Sequence, residues 1–270
     1  MPDESLVEKM LHRMVKKHIA GTTMSAALSK VEELNSRKML ASVTFLSGDV
    51  ENKSRARYIT ITYLELIRRV SRLGLTASVH IPLSQIGALI DSGAAAKNAG
   101  EIIATANRYG IFVWLEAEGP EILFADNFKN ARGYGVAFAE SSVKKFVPLL
   151  KKMKSVKVIF YEGREASSAL NNGGIAPVLK DSRNLVLSSP PEKLIGGLSG
   201  KNKYKGSVVL EFRLGYSYKR LSKLMKKGVK VSVSVPFGKD WVNFAMNSVP
   251  EGYMRFLASN LLTEKHSTQA

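Results

Sequence analysis

Short runs rich in β-branched residues alternate along this chain with longer amphipathic stretches, and the alternation repeats eight times. The short runs predict strands at 40–45, 75–81, 111–117, 135–139, 156–161, 184–187, 208–212 and 229–235. Between them, apolar residues at helical spacing predict helices over 57–73, 94–109, 142–153 and 218–227, and Gly74, Gly110 and Gly228 stand where helices stop. A further helix is expected over 5–18. Strands separated by helices must run parallel, and eight of them within about 250 residues point to an α/β fold, a (β/α)8 TIM-type barrel with an N-terminal helical leader. An open doubly wound sheet is the alternative. No linker divides the chain, so the expected organisation is a leader at 1–18, one barrel at 19–262 and a polar tail at 263–270.

Two stretches, 163–181 and 195–206, break the rhythm and read as loops. The second contains Gly196-Gly197 and Gly200-Lys201, yet it lacks the glycine spacing and the Ser/Thr after lysine that a phosphate-binding loop requires. As a flexible basic loop it still suits non-specific phosphate contacts.

Composition adds one unusual feature. The 270 residues are 45% apolar, enough for a sizeable core, but 40 Lys+Arg against 23 Asp+Glu leave a net charge of +17. Two basic stretches stand out, Lys144 to Lys157 and Lys219 to Lys230. In the second, Lys219, Lys223, Lys226, Lys227 and Lys230 share one helical face, with Leu221, Leu224 and Met225 on another. Either helix alone reads as a solvated face beside a buried stripe, while the total charge suits an acidic partner such as RNA, DNA, a ribosome or another anionic surface. No apolar run approaches the roughly 20 residues of a membrane-spanning helix, and the N-terminus carries early acids without a signal core, so a cytoplasmic location is expected. The chain has no cysteine, which removes disulfides and thiolate chemistry.

Barrel chemistry sits at the carboxyl ends of strands. On strand 2, period-two alternation places Thr76, Ser78 and His80 on one face and Ala77, Val79 and Ile81 on the other. His80 is thereby directed into the barrel mouth, as an acid, base or hydrogen-bonding group or as a satisfied structural histidine. On strand 3 the same alternation sends Trp114, Glu116 and Glu118 inward. Two such carboxylates must be paired or solvated, and they fit proton transfer or an ion pair with one of the many lysines. The four histidines, His12, His18, His80 and His266, form no metal-ligand spacing with acids, so no metal is expected.

The stretch from His18 through Gly21-Thr22 to Leu28, then Val31, Leu34-Asn35 and Met39 to Leu46, resembles the opening of bacterial-type proline dehydrogenases. Val231 to Trp241, with Val235-Pro236-Phe237-Gly238-Lys-Asp240-Trp241, is similar to the family's last strand and its turn into the final helix. Shorter matches fall in order between them, so the resemblance covers about residues 18–258. It implies a (β/α)8 barrel carrying FAD. It also implies a lysine on strand 2 where His80 stands, an aspartate on strand 3 where Glu116 stands, a second acid at Glu118 and a strand 7 tyrosine at Tyr216. The arginine pair that would clamp the proline carboxylate corresponds to Asn247 and Ser248. Flavin contacts correspond to Ala139 on strand 4, Phe160 on strand 5 and Ser188-Ser189 after strand 6. Two neutral side chains cannot imitate a bidentate guanidinium clamp, so the expectation is lost or altered FAD-dependent L-proline oxidation, possession of enzyme activity being left open. The alternative is a non-catalytic basic protein that binds nucleic acid, a ribosome or another acidic assembly.

Overall fold

The structure is a computed structural model that describes residues 16–48, 50–117, 132–142, 155–160, 184–192, 194–195 and 208–240. Eight parallel strands close into a barrel in sequence order: β1 Leu40–Phe45, β2 Ala77–Pro82, β3 Phe112–Glu116, β4 Tyr134–Ala139, β5 Ser155–Ile159, β6 Asn184–Ser188, β7 Val208–Arg213 and β8 Lys230–Phe237. The α/β barrel reading therefore holds, and closure of β8 on β1, Leu40 opposite Ser232 through Phe45 opposite Phe237, excludes the open sheet. The described helices are α1 Met24–Ser36, α2 Lys53–Arg72, α3 Ser92–Tyr109 and α4 Tyr218–Lys226. The leader over 1–15, the helix expected across 143–153 and most of both loops lie outside the described residues.

Local chemistry explains where observed and expected boundaries differ. Helix α1 was not among the expected elements; Thr23 starts it, its hydroxyl accepting from the Ala26 amide at 3.2 Å. Asn52 begins α2 four residues early by accepting from the Arg55 amide at 2.9 Å. Strand β2 starts at Ala77 rather than 75 because the Asn35 side chain occupies Thr76, accepting from its amide at 2.7 Å and donating to its carbonyl at 3.1 Å. Helix α4 ends at Lys226, and Lys230 opens β8 instead of extending the helical lysine row. At the other end of β8, Gly238 has φ 142°, and a Cβ there would lie 2.1 Å from the Leu46 carbonyl oxygen. Only glycine lets the chain leaving β8 pass so close to the one leaving β1.

The strands alternate strictly between two environments. Val43, Val79, Val113, Val158, Leu187 and Val233 face outward and are buried with Ile59, Tyr63 and Ile67 of α2 and Ile102 of α3 in the main core. The inward positions are more polar. Following the strand registers round the barrel stacks them in layers of four drawn from alternate strands. Ser42, Trp114, Lys157 and Glu211 share the central layer. Above it, toward the carboxyl ends, lie His80, Ala137, Ser188 and Ser234, and then Thr44, Glu116, Ile159 and Arg213. Among the described residues no helix is long and apolar enough to cross a membrane.

Candidate functional site

The barrel's inner layers hold a continuous chain of polar side chains. At the mouth, His80 Nε2 lies 2.8 Å from Glu116 Oε2. Its other nitrogen, Nδ1, is 2.9 Å from Lys157 Nζ. Lys157, fully buried on β5, also reaches Glu211 Oε1 at 2.8 Å and Ser42 Oγ at 3.2 Å. The Ser188 hydroxyl donates to the same Glu211 oxygen at 2.9 Å. Lys157 Nζ stands 5.7 Å from the centre of the Trp114 ring, which walls the layer on one side.

Protonation states follow from this connectivity. An ammonium has three donors and no acceptor, and the three neighbours of Lys157 use all of them. His80 Nδ1 must then accept, so the ring is neutral and carries its proton on Nε2, which donates to the Glu116 carboxylate. Lys157 and Glu211 form an ion pair removed from water, tolerable because every charged atom in contact is also hydrogen-bonded. Outside the barrel wall, Tyr63 of α2 packs edge-on against Phe45 and donates to Gln85 Oε1 at 2.8 Å, and burial pushes its phenol well above the usual tyrosine range.

The candidate residues named from sequence divide into three groups. His80 and Glu116 point inward and touch each other. Ser188 joins them through Glu211 and Lys157. Ser189, at φ 53°, turns the chain out of the barrel while its amide donates to the Glu211 carbonyl at 2.8 Å. Tyr216 stands apart, its hydroxyl donating to Glu192 Oε1 at 3.0 Å and its ring packed on Phe212. Glu118, Asn247 and Ser248 lie outside the described residues. Lys157 and Glu211 were missed. The available signal was period-two alternation in Ser155-Val-Lys157-Val-Ile159, which puts Lys157 on the face of Ser155 and opposite two valines.

The flavin implied by the resemblance would meet the strand ends at Ala139, Phe160, Ser188 and Ser189. Ala139 has no polar side-chain atom, and Phe160 packs outward in the main core. The Ser188 hydroxyl is committed to Glu211. Ser189 alone keeps a hydroxyl without a partner among the described residues. Of these four positions only Ser189 offers an isoalloxazine a free hydrogen-bonding group; the lysine that β5 turns inward is Lys157, and its ammonium is already engaged by Glu211, Ser42 and His80. Among the described residues no cluster of three His, Asp or Glu side chains is placed to hold a metal.

No family model matches the sequence. The chain is 22% identical over 260 residues to proline dehydrogenase 2 of Bacillus subtilis, covering 87% of this chain and 85% of the relative, and 19% identical to proline dehydrogenase 1 of the same strain at similar coverage. Among solved structures it resembles proline utilization A from Bdellovibrio bacteriovorus inactivated by N-propargylglycine, with a TM-score of 0.71 at 14% identity over 92% of this chain. Proline utilization A of Bradyrhizobium japonicum gives a TM-score of 0.65 at 10% identity over 89% of the chain. The chain spans about a third of those two structures, 34% and 31% of their lengths. Sequence similarity along nearly the whole length and the same closed barrel make this chain similar to the proline dehydrogenases, at the level of a distant relative.

Proposed function

We propose that this barrel has lost FAD-dependent oxidation of free L-proline and serves as a binding protein. The observation that carries the reading is the engagement of His80 on both sides. At the place where the resemblance implies a lysine, the imidazole is neutral, held between Lys157 and Glu116, and offers no cation to a substrate carboxylate. The cation in contact with it, Lys157, is itself consumed by Glu211 below the mouth. Asn247 and Ser248 in place of the clamping arginines act in the same direction. The test is purified protein incubated with excess FAD, followed by absorbance and by reduction of an artificial electron acceptor with L-proline. Neither retained flavin absorbance nor proline-dependent reduction is expected. Turnover of proline by flavin-loaded protein would overturn the reading.

A second observation favours an acidic partner. Lys219, Lys223 and Lys226 on α4 and Lys227 just after it are exposed, and none has a carboxylate within ion-pair distance among the described residues, whereas neighbouring Arg220 pairs with Glu192 at 3.2 Å. Such a row suits the phosphates of RNA, DNA or a ribosome. Binding of this origin must weaken steeply with salt, and a salt-independent or absent affinity for nucleic acid would remove it.

A further inference from the structure

A cavity of about 490 Å³ opens at the end of the barrel opposite the mouth, among the first residues of the strands. Its walls are apolar, with Phe112, Val209 and Trp114, whereas its deeper part is polar, with Ser78, Ser232 and Glu211. Glu211 is 3% exposed and Ser232 is 5% exposed. The Ser232 hydroxyl has no hydrogen-bond partner among the described residues, and both side-chain contacts made by Glu211, to Lys157 and Ser188, use Oε1. A buried hydroxyl and a buried carboxylate oxygen thus line the wall of a space large enough for a small organic molecule.

We infer that this cavity is a binding site for a small uncharged alcohol or phenol, entering with its hydroxyl toward Glu211 and Ser232 and its apolar body between Phe112, Trp114 and Val209. The charges choose among ligand classes. Glu211 already holds the ammonium of Lys157 at 2.8 Å, and Lys230 is exposed at the rim, so a second cation would be repelled by two others. An anion would meet the Glu211 carboxylate and lose its hydration. A neutral hydroxyl donates one hydrogen bond to the carboxylate and accepts one from Ser232, completing both groups without burying charge. Phe112 and Trp114, with ring centres 4.8 Å apart and tilted by 52°, present aromatic surface to a ring or alkyl body.

The experiment is calorimetric titration of the full chain with phenol, benzylamine and benzoate. Phenol is expected to bind saturably at one site, with benzylamine and benzoate at least about tenfold weaker. Ser232→Ala should weaken phenol about fivefold, the effect of one neutral hydrogen bond. Val209→Trp, which fills the apolar part, should abolish binding. Leu40→Trp, at the same end of the barrel, is the second filling variant should the first fail to fold by circular dichroism. Absence of phenol binding at millimolar concentration, equal binding of a charged analogue, or binding that persists in a folded filling variant would each overturn the assignment. None of these outcomes depends on whether the mouth oxidises proline.

Discussion

Lys157 Nζ and Glu211 Oε1 meet at 2.8 Å in the central layer of the barrel, one fully buried and the other nearly so. Each charge is tolerable only because of the other. Lys157→Met is therefore expected to destabilise the protein by about 3–5 kcal/mol, by leaving a carboxylate buried without its cation. The double variant Lys157→Met, Glu211→Leu should recover most of that loss. Urea denaturation measures both, and a double variant no more stable than the single one would contradict the pairing.

His80 is locked as the neutral tautomer with its proton on Nε2, because Lys157 occupies Nδ1 as a donor and Glu116 accepts from Nε2. Long-range proton–nitrogen correlation spectra of the labelled protein should show a protonated Nε2 and an unprotonated Nδ1. The protonated Nδ1 tautomer would refute the network.

The same contact explains why a lysine cannot simply be restored on strand 2. His80→Lys would place a second ammonium against Lys157, a repulsion on the order of 4 kcal/mol at about 4 Å and an effective dielectric of 20. A clear drop in thermal stability is expected for the single variant, and relief is expected when Lys157→Met accompanies it.

Gly135 on β4 sits beside Trp114, its register partner on β3, where the indole covers it. A Cβ there would lie 2.5 Å from Trp114 Cζ3 and 2.9 Å from the Ser155 carbonyl oxygen. Gly135→Ala should cost about 1–3 kcal/mol by overpacking, measured by urea denaturation. Gly93→Ala, whose nearest neighbour is the Asp91 carboxylate oxygen at 3.4 Å, serves as the tolerated control.

On the outer surface, hydrogen bonding from the Arg57 guanidinium holds the Glu101 carboxyl below its ordinary range, and Arg69 does the same to Glu65. A carboxyl whose folded pKa is depressed contributes stability that is fully present above its unfolded value and is lost as pH falls through the folded one. Stability should therefore decline below about pH 4.5. Glu101→Gln should flatten that decline by a few tenths of a kcal/mol, since both partners are largely exposed. An unchanged acid profile would show that the pair contributes nothing.

Much of the mouth was legible from local pattern. Alternation in Ser78-Val79-His80-Ile81 and Trp114-Leu115-Glu116 assigns His80 and Glu116 to the inner face, because outward positions must be apolar to pack on helices. The same rule assigns Lys157 inward, but it sits at the end of a basic run that reads equally well as solvated surface. Phe160, three residues later, is the position that resemblance brought forward for strand 5, and it belongs to the outer core.

The sequence by itself determined which segments become strands and helices, which face of each strand is apolar, and that eight parallel strands must find helices to cover them. Those are consequences of periodicity and backbone geometry, and they act within a few residues. Tertiary structure alone decided that Glu116, His80, Lys157, Glu211 and Ser188 form one chain, and that a cavity lies beneath them. Each of these side chains comes from a different strand, so their contacts depend on barrel closure and on the register between neighbours. A shift of one residue in any strand would turn its member of the chain to the opposite face.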